Sequence, residues 1–335
     1  MKNPLIETPR LLASVLEKER ELSAFARRLM GWGDGPVYFV GSPVSYPACL
    51  TAAAAFESVV GMPAMARLEP GFLAYSLPSL RPRALVFVIP PVAEVEEMLG
   101  AVRTLEAKAA RIFTLGDGPR NPLASKAEGF VPDSSGAEAL PPFSSALARH
   151  ATLAYLALIV ARFLKSPSEE RCREEEEFEQ LPEATERTLV QWADALPVFG
   201  NEVGKASRLV LAGGGRFFPV ALETARELEK ATGISAFTQD VSWAAPPRLE
   251  AEARAIVLSC SRCRVKAQVN RWAVEIGKSS GAVMALTDAA DKNLLEKSRL
   301  SLLLPSLGES AASVLELAVG GSLVSPIVRA KARTK

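Results

Sequence analysis

The side chains best suited to chemistry lie in a few short stretches. "VGSPVSYPACLTAAAAFES", from Val40 to Ser58, sets Ser42, Ser45 and Tyr46 in a loop of small and hydroxylated residues. The loop joins an apolar strand to an Ala-rich helix. Such a join can hold a phosphate, because the first N–H groups of a helix lack intrahelical partners and its dipole favours an anion. The same residues also suit a plain turn with Ser45 as N-cap. "AGGGRFFPVALE", Ala212 to Glu223, places Gly213 and Gly215 after a second apolar strand. It does not spell G-x-G-x-x-G, and no clear acidic residue closes a following strand, so it is a poor dinucleotide loop. "SCSRC" carries Cys260 and Cys263 as C-x-x-C. That spacing serves redox chemistry or half of a zinc site. Zinc needs two more ligands, and the chain has no second C-x-x-C and one histidine, His150. No metal and no cofactor is expected.

The elements that must position these residues follow from the pattern of apolar runs. "VYFV" (37–40), "ALVFVI" (84–89) and "RIFTL" (111–115) are continuous and of strand length. Runs of this kind fit parallel strands buried on both faces. Helices are predicted over 46–60, 93–108 and 143–164, and one helical stretch over 9–30. After residue 187 the pattern returns. "RLVLAGGGRFFPVALETARELEKATGIS" (208–235) repeats the logic of 37–64, with Pro47 and Pro219 at helix starts and Gly61 and Gly233 after helix ends. "AIVLS" (255–259) answers "LVFVI", and "AVMALT" (282–287) answers "RIFTL". A repeat this long means two copies of one domain.

Composition narrows the function. The chain has 335 residues and a net charge of +1, which gives no general field for nucleic acid or an acidic membrane. The N-terminus lacks a signal-peptide core, and "ATLAYLALIVARFL" (151–164) reads as too short to span a bilayer. A cytoplasmic protein with no nucleic-acid or membrane partner is expected. The run Glu174–Glu177 reads as a solvated helix or linker.

In order and spacing these motifs resemble the tandem sugar isomerase (SIS) domains, a family that includes the isomerase half of glucosamine-6-phosphate synthase and other phosphosugar isomerases. Family members carry a first loop G-T-S-Y and then roughly F/L-E-x-L-x-G-x-P; here stand Ser45-Tyr46, Phe56-Glu57, Gly61 and Pro63. The second copy reads G-R-G-x-x-Y-P-x-A-L-E; here stand Gly213, Gly215, Phe218, Pro219, Ala221, Leu222 and Glu223. The family ends P-R-N-L-A-K; here Pro326, Ala330 and Lys331 remain. The resemblance implies an α/β fold of two SIS-like domains, each a mostly parallel five-stranded sheet flanked by helices. The implied divisions are an N-terminal helical segment 1–33, a first domain 34–165, a charged linker 166–187, a second domain 188–322 and a tail 323–335. It also implies a homodimer.

For chemistry, the resemblance implies a sugar phosphate or amino-sugar phosphate held by Ser42, Ser45 and Tyr46, by Ser144 and Ser145, and by Gly213, Gly215 and Glu223. The family's second phosphate loop, S-Q-S-G-E-T, is here "PPVAEV" (90–95), in which only Glu94 matches. Two prolines remove N–H donors and two valines replace hydroxyls. Charged hydrogen bonds are each worth about 1.5–3 kcal/mol, so this loop grips an anion weakly unless something replaces it. Ser144 and Ser145 also suit a cap for the helix that follows. The family's catalytic Glu falls at Lys230, with Glu229 one residue earlier and about 100° round the helix. Its ring-opening His, in H-G-P, falls near "WAAPP" (243–247) and has no counterpart; His150 reads as structural or surface. Lys331 matches the catalytic Lys, which can form a Schiff base or polarise a carbonyl, and it also suits a frayed basic tail. The implied function is sugar-phosphate binding of the phosphosugar isomerase type, with aldose–ketose isomerisation or amino-sugar phosphate deamination. The alternative is a non-catalytic binder or sensor of carbohydrate derivatives.

Overall fold

The computed structural model describes residues 4–31, 35–80, 84–90, 95–106, 108, 110–116, 122–133, 142–166, 168–279 and 281–334. The chain divides into two compact units, Leu11–Glu175 and Glu176–Lys335 with Met1–Arg10.

The first unit runs from the end of α1 (Pro4–Leu16, which begins in the second) and α2 (Glu19–Met30) into β1 (Val37–Gly41) and α3 (Tyr46–Ala55). A π-helical turn, Phe56–Val60, prolongs α3 before β2 (Ala64–Leu68) and the short α4 (Glu69–Gly71). Then come β3 (Leu85–Ile89), α5 (Val95–Glu106), β4 (Arg111–Gly116), β5 (Gly129–Pro132) and α6 (Pro142–Leu164). The strands order as β2-β1-β3-β4-β5, and their pairings are all parallel. Every residue of β3 is buried, as a strand covered by helices on both faces requires. Phe39, Phe56, Phe87 and Phe113 meet ring to ring above this sheet, with Phe39 and Phe87 centroids 4.9 Å apart.

The second unit holds α7 (Glu169–Glu179, which begins in the first), α8 (Leu181–Gln191) and α9 (Ala195–Gly204), then β6 (Arg208–Gly213) and α10 (Phe217–Thr232). It continues through β7 (Ser235–Asp240), β8 (Ala253–Leu258), α11 (Lys266–Ile276), β9 (Ala282–Asp288), α12 (Lys292–Lys297), β10 (Leu300–Leu304) and α13 (Glu309–Thr334). Its parallel sheet orders as β10-β9-β8-β6-β7, so β6 to β10 repeat β1 to β5 in sequence and in pairing. Gly61 and Gly233, noted after both repeated helices, have φ of 78° and 65°. Each ends its helix in a left-handed residue, where glycine carries no Cβ penalty.

Several boundaries differ from the sequence expectation. The stretch 9–30 is two helices, because the chain breaks at Glu17–Lys18. Residues 166–187 are mostly helix rather than linker: Phe178, Leu181, Ala184 and Leu189 are buried at helical spacing beneath the charged face. Nor is the Glu174–Glu177 run wholly solvated. Glu177 accepts from Arg262 Nη1 and from the Gly308 N–H, both at 2.6 Å. Residues 323–334 continue α13 rather than forming a tail, and Leu323, Ile327 and Ala330 are buried. Helix α6 has 23 residues, so length does not keep it from a bilayer. Both α6 and α13 are long and apolar enough to cross one, but 83% and 72% of their apolar stretches are buried inside the protein.

Helix α13 lies on α9 because α9 offers glycines. A Cβ on Gly200 would stand 2.5 Å from Pro326 Cβ, and one on Gly204 would stand 2.8 Å from Ala330 Cβ. Overpacking of this kind costs about 1–3 kcal/mol. Gly200→Ala should therefore lower the urea midpoint by a corresponding amount. An unchanged midpoint would show that 326–330 does not pack there.

Candidate functional site

In an open α/β sheet, ligands bind beyond the C-terminal strand ends where the strand order reverses. In the first unit that point lies between β1 and β3. Gly41 closes β1 there. A Cβ at Gly41 would meet Ser45 Oγ at 2.7 Å, Cys49 Sγ at 2.8 Å and the Ile89 carbonyl oxygen at 3.3 Å. The glycine thus lets the first turn of α3 settle against both strand ends.

Ser45 is 1% exposed. Its hydroxyl donates to the Ile89 carbonyl oxygen at 2.6 Å and lies 3.5 Å from Ser42 Oγ. The bond joins the loop after β1 to the end of β3, across the reversal point. Ser45 occupies the N-cap position, but its side chain makes no capping bond. The N–H groups of Ser45 and Tyr46 both donate to the Ser42 carbonyl, at 3.1 and 2.9 Å, and Pro47 has no N–H to offer. Tyr46 is half-buried, and burial first and Cys49 second raise its phenol pKa. Ser144 and Ser145 are partly buried within the first turn of α6. They lie inside the helix and do not precede it as a cap would. Glu94 lies outside the described residues. His150 is buried, with Nδ1 2.8 Å from Thr51 Oγ1.

In the second unit the reversal lies between β6 and β8, and glycines again shape it. A Cβ on Gly213 would meet the Phe217 carbonyl oxygen at 2.5 Å, and Gly215 has a φ of 57°. Gly214 fits against Val265 and Val241, whose Cγ2 atoms would lie 2.6 and 2.8 Å from a Cβ. Side chains therefore crowd this crevice. Glu223 is buried and pairs with Arg226 one turn on.

Glu229 and Lys230 are exposed in the last turn of α10. They lie about 18 Å along the helix from its glycine-rich start, at 1.5 Å per residue. Lys331 joins them at that end: its Nζ donates to the Thr232 carbonyl at 2.5 Å. The lysine expected in a frayed tail is instead a half-buried cation on the C-terminus of α10, where the helix dipole favours it.

A polar group that sequence reasoning missed surrounds the loop after β8. Asp288 accepts from the N–H groups of Ser261 (2.7 Å) and Ala290 (2.9 Å), and Glu309 accepts from Arg264 N–H (2.7 Å). Lys266 pairs with Asp291, and its Nζ lies 3.3 Å from Ser259 Oγ. Burial lowers the Lys266 pKa. Glu316 is fully buried, and among the described residues neither carboxyl oxygen makes a well-formed hydrogen bond. Burial pushes it well above the ordinary carboxylate range, against the pull of the Ser259 backbone and Lys266. Burial also pushes up both thiols of the C-x-x-C, Cys263 to about 12 with Glu309 adding to the effect. A buried thiol with so little thiolate is a poor nucleophile or ligand. Among the described residues no set of three His, Cys, Asp or Glu side chains could hold a metal. The available signal was Ser259-x-Ser261 immediately after β8, the strand that repeats β3; the two cysteines obscured it.

Two expectations follow. Ser45→Ala leaves the buried Ile89 carbonyl without this donor and should cost about 1–3 kcal/mol of unfolding free energy; a loss below 0.3 kcal/mol (about 0.3) in denaturant titration would contradict the bond. Glu316 is raised in the folded protein, so folding takes up a proton above its unfolded pKa and stability falls as pH rises. Glu316→Gln should thus stabilise the protein at pH 7 (roughly neutral), with the gain fading below about pH 4.5. A gain independent of pH would reject the buried neutral acid.

Comparison with known proteins adds to this geometry. Residues 34–161 match the family model of the SIS domain. No curated protein sequence matches the chain. Among solved structures, the chain is similar to the C-terminal domain of glucosamine-fructose-6-phosphate aminotransferase from Francisella tularensis. The TM-score is 0.81 at 15% identity, over 98% of this chain and 95% of that one. It is also similar to tagatose-6-phosphate ketose/aldose isomerase from Escherichia coli, with a TM-score of 0.70 at 13% identity over 97% and 90% of the chains. A third is glucosamine-6-phosphate deaminase from Thermotoga maritima, with a TM-score of 0.61 at 16% identity over 94% of each. Residues 34–161 thus match the SIS domain, and the chain as a whole shares the fold of these structures, two five-stranded parallel sheets flanked by helices.

Proposed function

We propose that this protein binds a phosphorylated sugar, in the manner of phosphosugar isomerases, at the strand-reversal end of its first unit. The observation that carries the reading is the SIS domain over that unit, with the hydroxyl loop Ser42–Tyr46 at the reversal point between β1 and β3. The solved structures it resembles act on tagatose-6-phosphate and glucosamine-6-phosphate, by their descriptions. The second unit is the poorer cradle for a dianion. Its loop N–H groups already face Asp288 and Glu309, and further carboxylates would repel a phosphate.

The finer proposal is aldose–ketose isomerisation, or deamination of an amino-sugar phosphate. Isomerisation moves a proton between adjacent carbons and so needs a base, with a cation or acid beside the carbonyl. Glu229 is the candidate base. Lys331 is the candidate partner for an open-chain carbonyl, and Lys230 contributes charge at the same helix end. No histidine stands where the family opens the ring, so this chemistry best suits sugars already in the open form.

Calorimetry against a panel of hexose 6-phosphates and their unphosphorylated sugars tests the binding claim. The phosphate should tighten binding by about tenfold or more, the worth of a single charged hydrogen bond. Equal affinity for sugar and sugar phosphate, or none for either, would reject it. In an isomerase assay on the same panel, Lys331→Ala should lower turnover by at least an order of magnitude. Turnover unchanged in that variant would remove Lys331 from the chemistry.

A further inference from the structure

Lys266 is an amine held at the strand ends of the second unit, and the sugar-phosphate reading gives it no task. It is the first residue of α11, and its side chain is 20% exposed. Its Nζ reaches back to 3.3 Å from Ser259 Oγ and pairs with Asp291, the N-cap of α12. Ser259 directly follows β8, and Asp291 accepts from Thr287, the next-to-last residue of β9. The two strands are neighbours in the sheet. The amine thus stands at their C-terminal ends, the edge at which open α/β sheets bind ligands.

Its partners are arranged as a base and the groups that orient a base. Asp291 is 3% exposed. The oxygen that meets Lys266 Nζ, Oδ2, also accepts from Thr287 Oγ1 at 2.8 Å, and Oδ1 accepts from the Leu294 N–H at 3.3 Å. A nucleophile in contact with a base that a third group fixes in place is the arrangement of activated nucleophiles. Burial acts in the same direction, because it favours the free amine over the ammonium. It lowers the Lys266 pKa although Asp288 and Glu316 pull the other way. A pair that only stapled α11 to α12 would gain little, since desolvation offsets much of the attraction between buried ions. Arginine would serve such a staple without ever losing its proton.

The surrounding charges select what the amine takes. Asp288 and Asp291 are buried carboxylates on its side of the sheet, and Asp288 already accepts from the N–H groups of Ser261 and Ala290. These anions repel a phosphorylated or carboxylated compound. They hold an iminium as they hold the ammonium, since each carries one positive charge.

We propose that Lys266 captures an uncharged aldehyde or ketone as a Schiff base at the ends of β8 and β9, with Asp291 as the base that frees the amine. Nζ gives a proton to Asp291, and its lone pair forms the bond to the carbonyl carbon. The carbonyl oxygen takes that proton back and a second one from the nitrogen, and leaves as water when the C=N bond forms. The third proton stays on the iminium nitrogen, so nothing is oxidised or reduced. The site belongs to the second unit and does not depend on the phosphate site proposed in the first.

Reductive trapping tests the proposal. Glycolaldehyde is incubated with the full chain and sodium cyanoborohydride, which reduces an iminium to a stable secondary amine. Peptide mapping by mass spectrometry then gives the rate at each lysine and separates Lys266 from Lys331, the carbonyl partner in the proposed isomerisation. Lys266 should be labelled about tenfold or more faster than the exposed Lys205 and Lys278, given the positioned base. Relative to Lys205, Lys266 should prefer D-glyceraldehyde over D-glyceraldehyde 3-phosphate by several-fold. Asp291→Asn should slow labelling of Lys266 by several-fold and leave Lys205 and Lys278 unchanged, with its fold checked by circular dichroism. Should that variant fail to fold, the wild-type rates decide. Lys266 labelled no faster than the exposed lysines, or faster in Asp291→Asn, or preferring the phosphorylated aldehyde, would each overturn the capture site.

Discussion

Each unit is organised by one close approach, that of its first crossover helix to the end of its first strand. At Gly41 a Cβ would strike Ser45, Cys49 and the Ile89 carbonyl; at Gly213 it would strike the backbone of Phe217. A side chain at either place would push the helix off the strand ends. The strand order then reverses immediately beside the glycine, between β1 and β3 in one unit and between β6 and β8 in the other. The fold thereby creates two equivalent crevices in one chain, each at the point where an open sheet offers backbone groups to a ligand.

The two crevices have taken different contents. In the first, the Ser45 hydroxyl bonds across the reversal point to Ile89. In the second, Val241 and Val265 close on Gly214, and the loop N–H groups donate to Asp288 and Glu309. A backbone nest filled by the protein's own carboxylates is a structural device: it satisfies buried donors that would otherwise cost free energy. The same arrangement repels an outside dianion. The chain holds two copies of the scaffold, and the carboxylates of the second are the reason the phosphate site is proposed in the first.

Much of the scaffold was legible because its signals are local. "VYFV", "LVFVI" and "AIVLS" read as strands since a strand buried on both faces has no polar alternation to confuse it. Gly61 and Gly233 stood out at equivalent positions, and both proved to end helices in left-handed residues. What was not legible depends on partners distant in sequence. Glu177 sits in a run of four glutamates, and nothing local shows that it binds Arg262 and Gly308. The basic residues of "VRAKARTK" hid a buried stripe of Ile327 and Ala330 whose counterpart is Gly200 and Gly204 in α9. Lys331 could not be read as the partner of the Thr232 carbonyl for the same reason. Ser259 and Ser261 were not legible as carrying polar chemistry, because Cys260 between them and Cys263 just beyond suggest a different one.

The central claim is that phosphate is held at the strand ends of the first unit. A crystal structure with a hexose 6-phosphate bound tests this most directly, through the position of the phosphorus atom. The proposed function predicts phosphorus density beyond the strand ends at Gly41 and Ile89. Phosphorus density beside Gly213 and Ser259 instead, or a ligand bound through its sugar with the phosphate in solvent, would contradict it.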